Sequence, residues 1–185
     1  MTLTTYIPPA DVLVQECING NAAAYSILYN RYAKAMFNTS LRIVNHTADA
    51  EDVLQEAFID AFARLSHFEG RATFGAWLKQ IVINKSISLL KKQQRFFDEQ
   101  VPEQVADDPS IDESELQYTV ENIKKTVQQL PDGYRTVLLL YLFEGYDHDE
   151  IADILKVAPS TVRTQYIRAK QKLLQLLKKE EMYEQ

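Results

Sequence analysis

Cysteine occurs once in the 185 residues, at Cys17, so the chain cannot close an internal disulfide. Glycine is scarce, with five in all, and none lies in a run that would wrap backbone amides around a phosphate. The three histidines, His46, His67 and His148, stand apart without metal-site spacing, so neither a metal nor a cofactor is expected. The adjacent acids Asp107 and Asp108 lie in a polar, proline-containing stretch where nothing would bury them and raise a pKa. With no constellation of nucleophile, base or ligand, the chain does not read as an enzyme. Long hydrophobic runs are missing too: VLLLYLF over 137–143 falls far short of the roughly 20 residues that span a bilayer, and no membrane insertion is expected. The opening TLTTYIPPAD lacks the regions of a signal peptide, which together with the lone cysteine points to the cytoplasm.

Positive charge is absent over 96–123, where nine acids accumulate, from Asp98 and Glu99 to Glu121. Without this segment the net charge of −6 would become +3, so it accounts for the acidity of the whole chain. Apolar periodicity also fails there, and Pro102 and Pro109 interrupt it, so residues 96–115 read as an acidic flexible linker between domains over 1–95 and 116–185. No stretch alternates as a strand would. The expected fold class is all-α, with two small helical domains and a helix-turn-helix in the second.

In the first domain, Pro8 and Pro9 precede a helix that stops at Gly20, and a longer one covers about 22–44. Thr47 is the expected N-cap of TADAEDVLQEAFIDAFARL, and a last helix runs from about Thr73 to Arg95. In the second domain Pro131 ends one helix and Gly145 the next. Asp147 with Glu150 then forms a capping box, and Pro159 takes the first turn of the final helix. Lys156 occupies the turn where glycine or asparagine would accept positive φ at lower cost.

The final helix gathers Arg163, Arg168, Lys170, Lys172, Lys178 and Lys179, and no acid falls over 159–179. At about 100° per residue, Val162, Tyr166, Ala169, Leu173, Leu176 and Leu177 share one side. Arg163, Thr164, Ile167, Arg168 and Gln171 share the other, an inventory able to read guanine edges, phosphates and a thymine methyl in a major groove. With small Ala152, Leu155 and Val157 before it, the spacing is that of a helix-turn-helix. The same residues also fit a helix hairpin with a solvated basic face.

Two further faces stand out in the first domain. Along HFEGRATFGAWLKQIVINKSISLLKKQQRF, the residues Asn84, Lys85, Ser88, Lys91, Lys92 and Arg95 make a polar and basic stripe, with Phe68, Phe74 and Trp77 nearby. Aromatics beside cations suit unpaired bases and their phosphates, although Trp77 and Phe74 also fit a core role, the better reading for Trp77, and the stripe fits a solvated face equally well. In DAEDVLQEAFIDAFARL, the residues Asp49, Asp52, Gln55, Glu56 and Asp60 lie outside the packing stripe. The helix dipole accounts for Asp49 and Asp52 but not for Glu56 and Asp60, which leaves either a solvated face or a dock for a basic protein.

Three motifs in order, DAEDVLQEAFIDAF, FEGRATFGAWLKQIVINKSISLLKK and LPDGYRTVLLLYLFEGYDHDEIADILKVAPSTVRTQYIRAKQKL, resemble the bacterial RNA polymerase sigma factors of the extracytoplasmic function group, sigma-70 family. The resemblance implies a sigma factor that binds core RNA polymerase and directs initiation at promoters, with region 2 in the first domain and region 4 in the second. It also implies an anti-sigma factor as partner. By that resemblance Asp49, Asp52, Gln55 and Glu56 dock on the polymerase clamp. Phe68, Arg71, Phe74, Asn84, Lys85, Ser88 and Lys92 would meet the minus-10 element, and Ser160, Thr161, Arg163, Thr164, Ile167, Arg168 and Lys170 the minus-35 duplex. The residues by themselves also allow a stand-alone helix-turn-helix regulator or a helical adaptor that binds no DNA.

Overall fold

The chain begins its described course with two prolines, whose fixed φ and missing N–H suit them to the start of a helix rather than its interior. The computed structural model describes residues 8–93 and 120–184, with side chains to 179, and every regular element in them is helical. The chain divides into two compact units, the division falling in the last turns of the fourth helix. The acidic stretch 96–115, Arg95 and the expected domain boundaries at 95 and 116 lie outside the described residues.

In the first unit α1 spans Ala10–Ile18 and α2 Ala22–Val44. Between them Gly20 takes φ +84°, which a side chain would strain, and Asn21 caps α2 by accepting the Ala23 N–H at 3.0 Å. The third helix, α3, spans Thr47–Ala63, and here the expected cap shifts by one residue. Asn45 turns left-handed to end α2, so His46 is the extended residue, and its Nδ1 accepts the Asp49 N–H at 3.4 Å. Thr47 is therefore the first helical residue and not the cap. A 3-10 turn, Leu65–His67, leads to α4, Phe74–Lys92, whose first turn is capped by Thr73 Oγ1 accepting from the Ala76 N–H.

Leu13, Leu28, Ala57, Phe58, Leu78 and Val82 anchor one shared core under these helices. Each large aliphatic side chain fully withdrawn from water stabilises by about 1.5–3 kcal/mol. The buried serines Ser40 of α2 and Ser86 of α4 meet within hydrogen-bonding distance. Ser86 Oγ lies 2.8 Å from the Val82 carbonyl and 3.1 Å from Ser40 Oγ. A hydroxyl has one proton, so Ser86 donates to the carbonyl and accepts from Ser40, which leaves neither buried oxygen unsatisfied.

In the second unit α5 is Val120–Gln128, α6 Asp132–Leu142, α7 His148–Leu155 and α8 Pro159–Glu184. Pro131 opens α6, and Gly145 at φ +78° turns the chain after it. Buried Arg135 donates to the Leu130 carbonyl at 2.8 Å and pairs with the Asp132 carboxylate, fixing the start of α6 against the end of α5. Leu130, Leu138 and Ala169 form the centre against which Tyr134, Tyr166, Leu173 and Leu176 pack, so α8 is the axis of this unit.

Candidate nucleic-acid interfaces and docking face

The final two helices are joined by a tight turn built from local chemistry. Asp147 Oδ1 accepts the N–H groups of Asp149 at 2.9 Å and Glu150 at 2.8 Å, while Glu150 Oε2 accepts the Asp147 N–H at 2.8 Å. The capping box is complete. Lys156 ends α7 in the left-handed region at φ 59°, ψ 47°, with its N–H on the Ala152 carbonyl. Pro159 then opens α8, and Ala152, Leu155 and Val162 are buried where the two helices meet.

This packing decides which face of α8 is presented. Val162, Ala169 and Leu177 are buried and Tyr166 half-buried, whereas Ser160, Thr161, Arg163, Ile167 and Lys170 are exposed and Thr164, Arg168 and Gln171 half-exposed. Ile167 shows 50% of its surface, an apolar side chain in water amid two guanidinium groups. Thr164 Oγ1 donates to the Ser160 carbonyl at 2.9 Å, so its oxygen is left to accept. Arg163 leans on Asp149 of α7, Nη2 to Oδ1 at 3.3 Å, a pair exposed on both sides and weak in water.

Along α4 Asn84, Ser88 and Lys92 are exposed, and Ser88 Oγ donates to the Asn84 carbonyl at 2.7 Å. Arg71 stands on the loop before it, with Nε 2.6 Å from Glu69. Phe68 is half-buried, its ring 5.2 Å from Trp77 and 6.0 Å from Phe74 between centroids. Phe74, expected among the minus-10 contacts, is only 2% exposed. Its ring is inserted between Tyr32 and Trp77, so it cannot offer a face to a base and instead supports Phe68 from beneath. Trp77 packs half-buried against the core, in keeping with its reading as a core residue.

Lys85 is turned toward α3. Its Nζ lies 2.9 Å from Asp60 Oδ2 and 3.2 Å from Glu56 Oε2. The hydrogen bond from Lys85 holds the Asp60 carboxyl below its usual range. Partial burial works to lower Lys85, but the bonds to Asp60 and Glu56 outweigh it and lift the ammonium above its ordinary value. The predicted docking residues share the outer side of α3, with Asp52, Gln55 and Glu56 exposed and Asp49 half-exposed. Ile59 joins them at 67% exposure and was not singled out from the sequence. Its signal was there, since Ile59 follows Asp52 by seven residues, two helical turns, and so lies above it on the acidic side. Asp60 as the partner of Lys85 had no such signal.

Residues 28–96 match the family model of sigma-70 region 2 and residues 121–173 that of sigma-70 region 4. The chain is 26% identical over 177 residues to the ECF RNA polymerase sigma factor SigW of Bacillus subtilis, covering 89% of this chain and 95% of that one. It is 32% identical over 171 residues to the RNA polymerase sigma-H factor of Pseudomonas aeruginosa, covering 86% of this chain and 89% of that one. The chain belongs to the extracytoplasmic function group of the sigma-70 family. Its fold is shared with the sigma factor RpoE of Bartonella quintana, solved in complex with the anti-sigma factor NepR. That match has a TM-score of 0.55 and 24% identity, over 83% of this chain and 96% of that one. The protein is therefore a sigma factor that directs RNA polymerase to promoters, and the stand-alone regulator and the DNA-free adaptor are set aside. Among the described residues no helix is long and apolar enough to cross a membrane, and no group of acids, histidines or cysteine is placed to hold a metal.

Proposed function

We propose that this sigma factor divides its work among three faces, one for the polymerase and two for the promoter. The outer side of α3, with Asp49, Asp52, Gln55 and Glu56 around Ile59, docks on a basic helical surface of core RNA polymerase. Charge complementarity sets the approach, and the apolar anchor gains its energy on leaving water. The loop carrying Phe68 and Arg71, continued by Asn84, Ser88 and Lys92 on α4, takes an unpaired strand of the minus-10 element. The side of α8 carrying Arg163, Thr164, Ile167 and Arg168 enters the major groove at the minus-35 element, with Ser160, Thr161 and Lys170 toward phosphates. The observation that carries this reading is the sorting of α8: its packing side is buried at Val162, Ala169 and Leu177 and half-buried at Tyr166, Leu173 and Leu176, and an isoleucine remains in water between two arginines.

The protein works by binding and catalyses no reaction of its own. It acts in the cytoplasm beside the polymerase, and an anti-sigma factor that covers these faces would hold it inactive; the related RpoE was solved in complex with the anti-sigma factor NepR. Either Arg163→Ala or Arg168→Ala is expected to cost about 1–3 kcal/mol at the minus-35 element and to relax its sequence preference. Promoter-duplex binding by the reconstituted holoenzyme measures this, and equal loss on all sequences would reassign the arginine to phosphate. Co-elution with core polymerase tests the docking face, where Asp52→Lys with Gln55→Lys is expected to abolish the complex. A wild-type chain that fails to co-elute would sink the docking assignment.

A further inference from the structure

Lys85 lies on the polar stripe of α4, yet its ammonium is already engaged by two carboxylates of α3, Asp60 at 2.9 Å and Glu56 at 3.2 Å. Asp60 and Glu56 are four residues apart, so both project from one side of α3 toward the same cation. Two negative charges around one positive charge leave the spot locally negative, and a phosphate arriving there gains no net attraction. The two partners are not equivalent. Asp60 is the closer and the more sheltered, with its side chain 37% exposed, while Glu56 is 68% exposed and stands on the docking face with Gln55 and Asp52. The pairs Arg163 with Asp149 and Arg71 with Glu69 are one-to-one, and neither touches that face.

We infer that Glu56 and Asp60 act as an internal counter-ion that withholds Lys85 from DNA in the free chain, and that docking draws Glu56 away and returns Lys85 to the minus-10 strand. Asp60 is the positioning residue, keeping the ammonium over α3, and Glu56 is shared between the polymerase and Lys85. The inference rests on the proposed reading of α3 as dock and α4 as strand contact. Cations of the polymerase compete for Glu56, which leaves Lys85 with a single counter-ion and a net capacity for phosphate. By linkage the effect is reciprocal, so a strand that captures Lys85 also frees Glu56 for docking.

The test is binding of the full-length chain to a fluorescein-labelled oligo(dT) strand across a salt series, with thermal melts to confirm that each variant folds. Glu56→Gln with Asp60→Asn keeps the shapes and removes the counter-charge. One unmasked phosphate contact on a single strand adds about 0.7 to the salt slope, which tightens binding about fivefold to tenfold at about 50 mM salt. Glu56→Gln alone, which imitates docking, is expected to recover part of that gain. Lys85→Met, which keeps the aliphatic stem, should change the wild-type chain by less than about twofold and abolish the gain in the double variant. A gain that survives Lys85→Met would be a general charge effect and would overturn the inference, as would Lys85→Met weakening the wild-type chain as much as the double variant. Lys92→Ala separates the two levels. If it weakens binding while the Lys85 cycle closes at zero, masking fails alone; if it has no effect either, the strand-contact reading of α4 fails with it.

Discussion

Replacing Lys156 by glycine should stabilise region 4, because Lys156 ends α7 at φ 59°, ψ 47°, a left-handed conformation that disfavours any residue with a Cβ. The left-handed position costs an ordinary residue about 1–2 kcal/mol. Glycine removes that cost but adds about 0.5–1 kcal/mol of backbone entropy to the unfolded chain. At the middle of both ranges the net gain is about 0.75 kcal/mol. For a unit of about 60–100 residues this corresponds to a rise of about 3–6 °C in Tm. Scanning calorimetry of the full chain reads it, in the transition that Leu155→Ala, a truncation of a side chain buried between α7 and α8, lowers by several degrees. Lys156→Ala is the control, since alanine keeps the strained φ and removes the charge together with the lysine stem. The reasoning is refuted if Lys156→Gly leaves the transition unchanged or lowers it, or if Lys156→Ala raises it as much. Either outcome would mean that the turn is limited by charge or by contacts of the lysine stem and not by its backbone.

Gly75→Ala is expected to destabilise region 2 by about 1–3 kcal/mol in urea titration, because the added Cβ would lie 2.7 Å from Tyr32 Cε1 and push that ring off Phe74. Stability of region 4 should fall at alkaline pH. Burial, and then Tyr141, raise the Tyr166 phenol, and burial, then Glu144 and Glu150, raise Tyr146. The folded unit therefore holds these protons more tightly than the unfolded chain. The stability so gained is whole below the ordinary tyrosine value of about 10 and is lost as pH climbs through the raised values. Urea titrations at stepped alkaline pH would show it, and Tyr166→Phe should flatten the loss. The acid side of region 2 has the opposite sign. Asp60 is held low by Lys85, so its contribution is present above the ordinary carboxylate value of about 4 and disappears as pH falls through the lowered one, with Asp60→Asn removing that slope.

Much of the architecture was legible because the rules involved act over a few residues. Pro131, Gly145, the Asp147 and Glu150 box, the left-handed Lys156 and Pro159 at the head of α8 are each settled by neighbours within about one turn, and each stands where those rules put it. The faces of α8 followed from periodicity, since a helix 26 residues long with one apolar side has one way to lie on a core. The cap of α3 was misplaced by one residue because Thr47 and His46 both qualify by type. The choice fell to Asn45, whose left-handed turn ends α2 and leaves a single extended residue before the next helix.

Sequence alone thus determined the helical class, the caps and turns apart from the cap of α3, the buried and outward sides of α8, and, through three ordered motifs, the sigma-70 family. Tertiary structure alone decided what meets across helices. It buried Phe74 beneath Phe68 and left Trp77 at the margin of the core, although both belong to one aromatic cluster in the sequence. It also carried Lys85, 29 residues beyond Glu56, onto the carboxylates of α3. The physical reason is range. Backbone capping and amphipathic sorting depend on residues a turn or two apart, whereas the partner of a charge and the depth of a ring depend on how far and at what angle two helices approach, which side chains distant in sequence settle together.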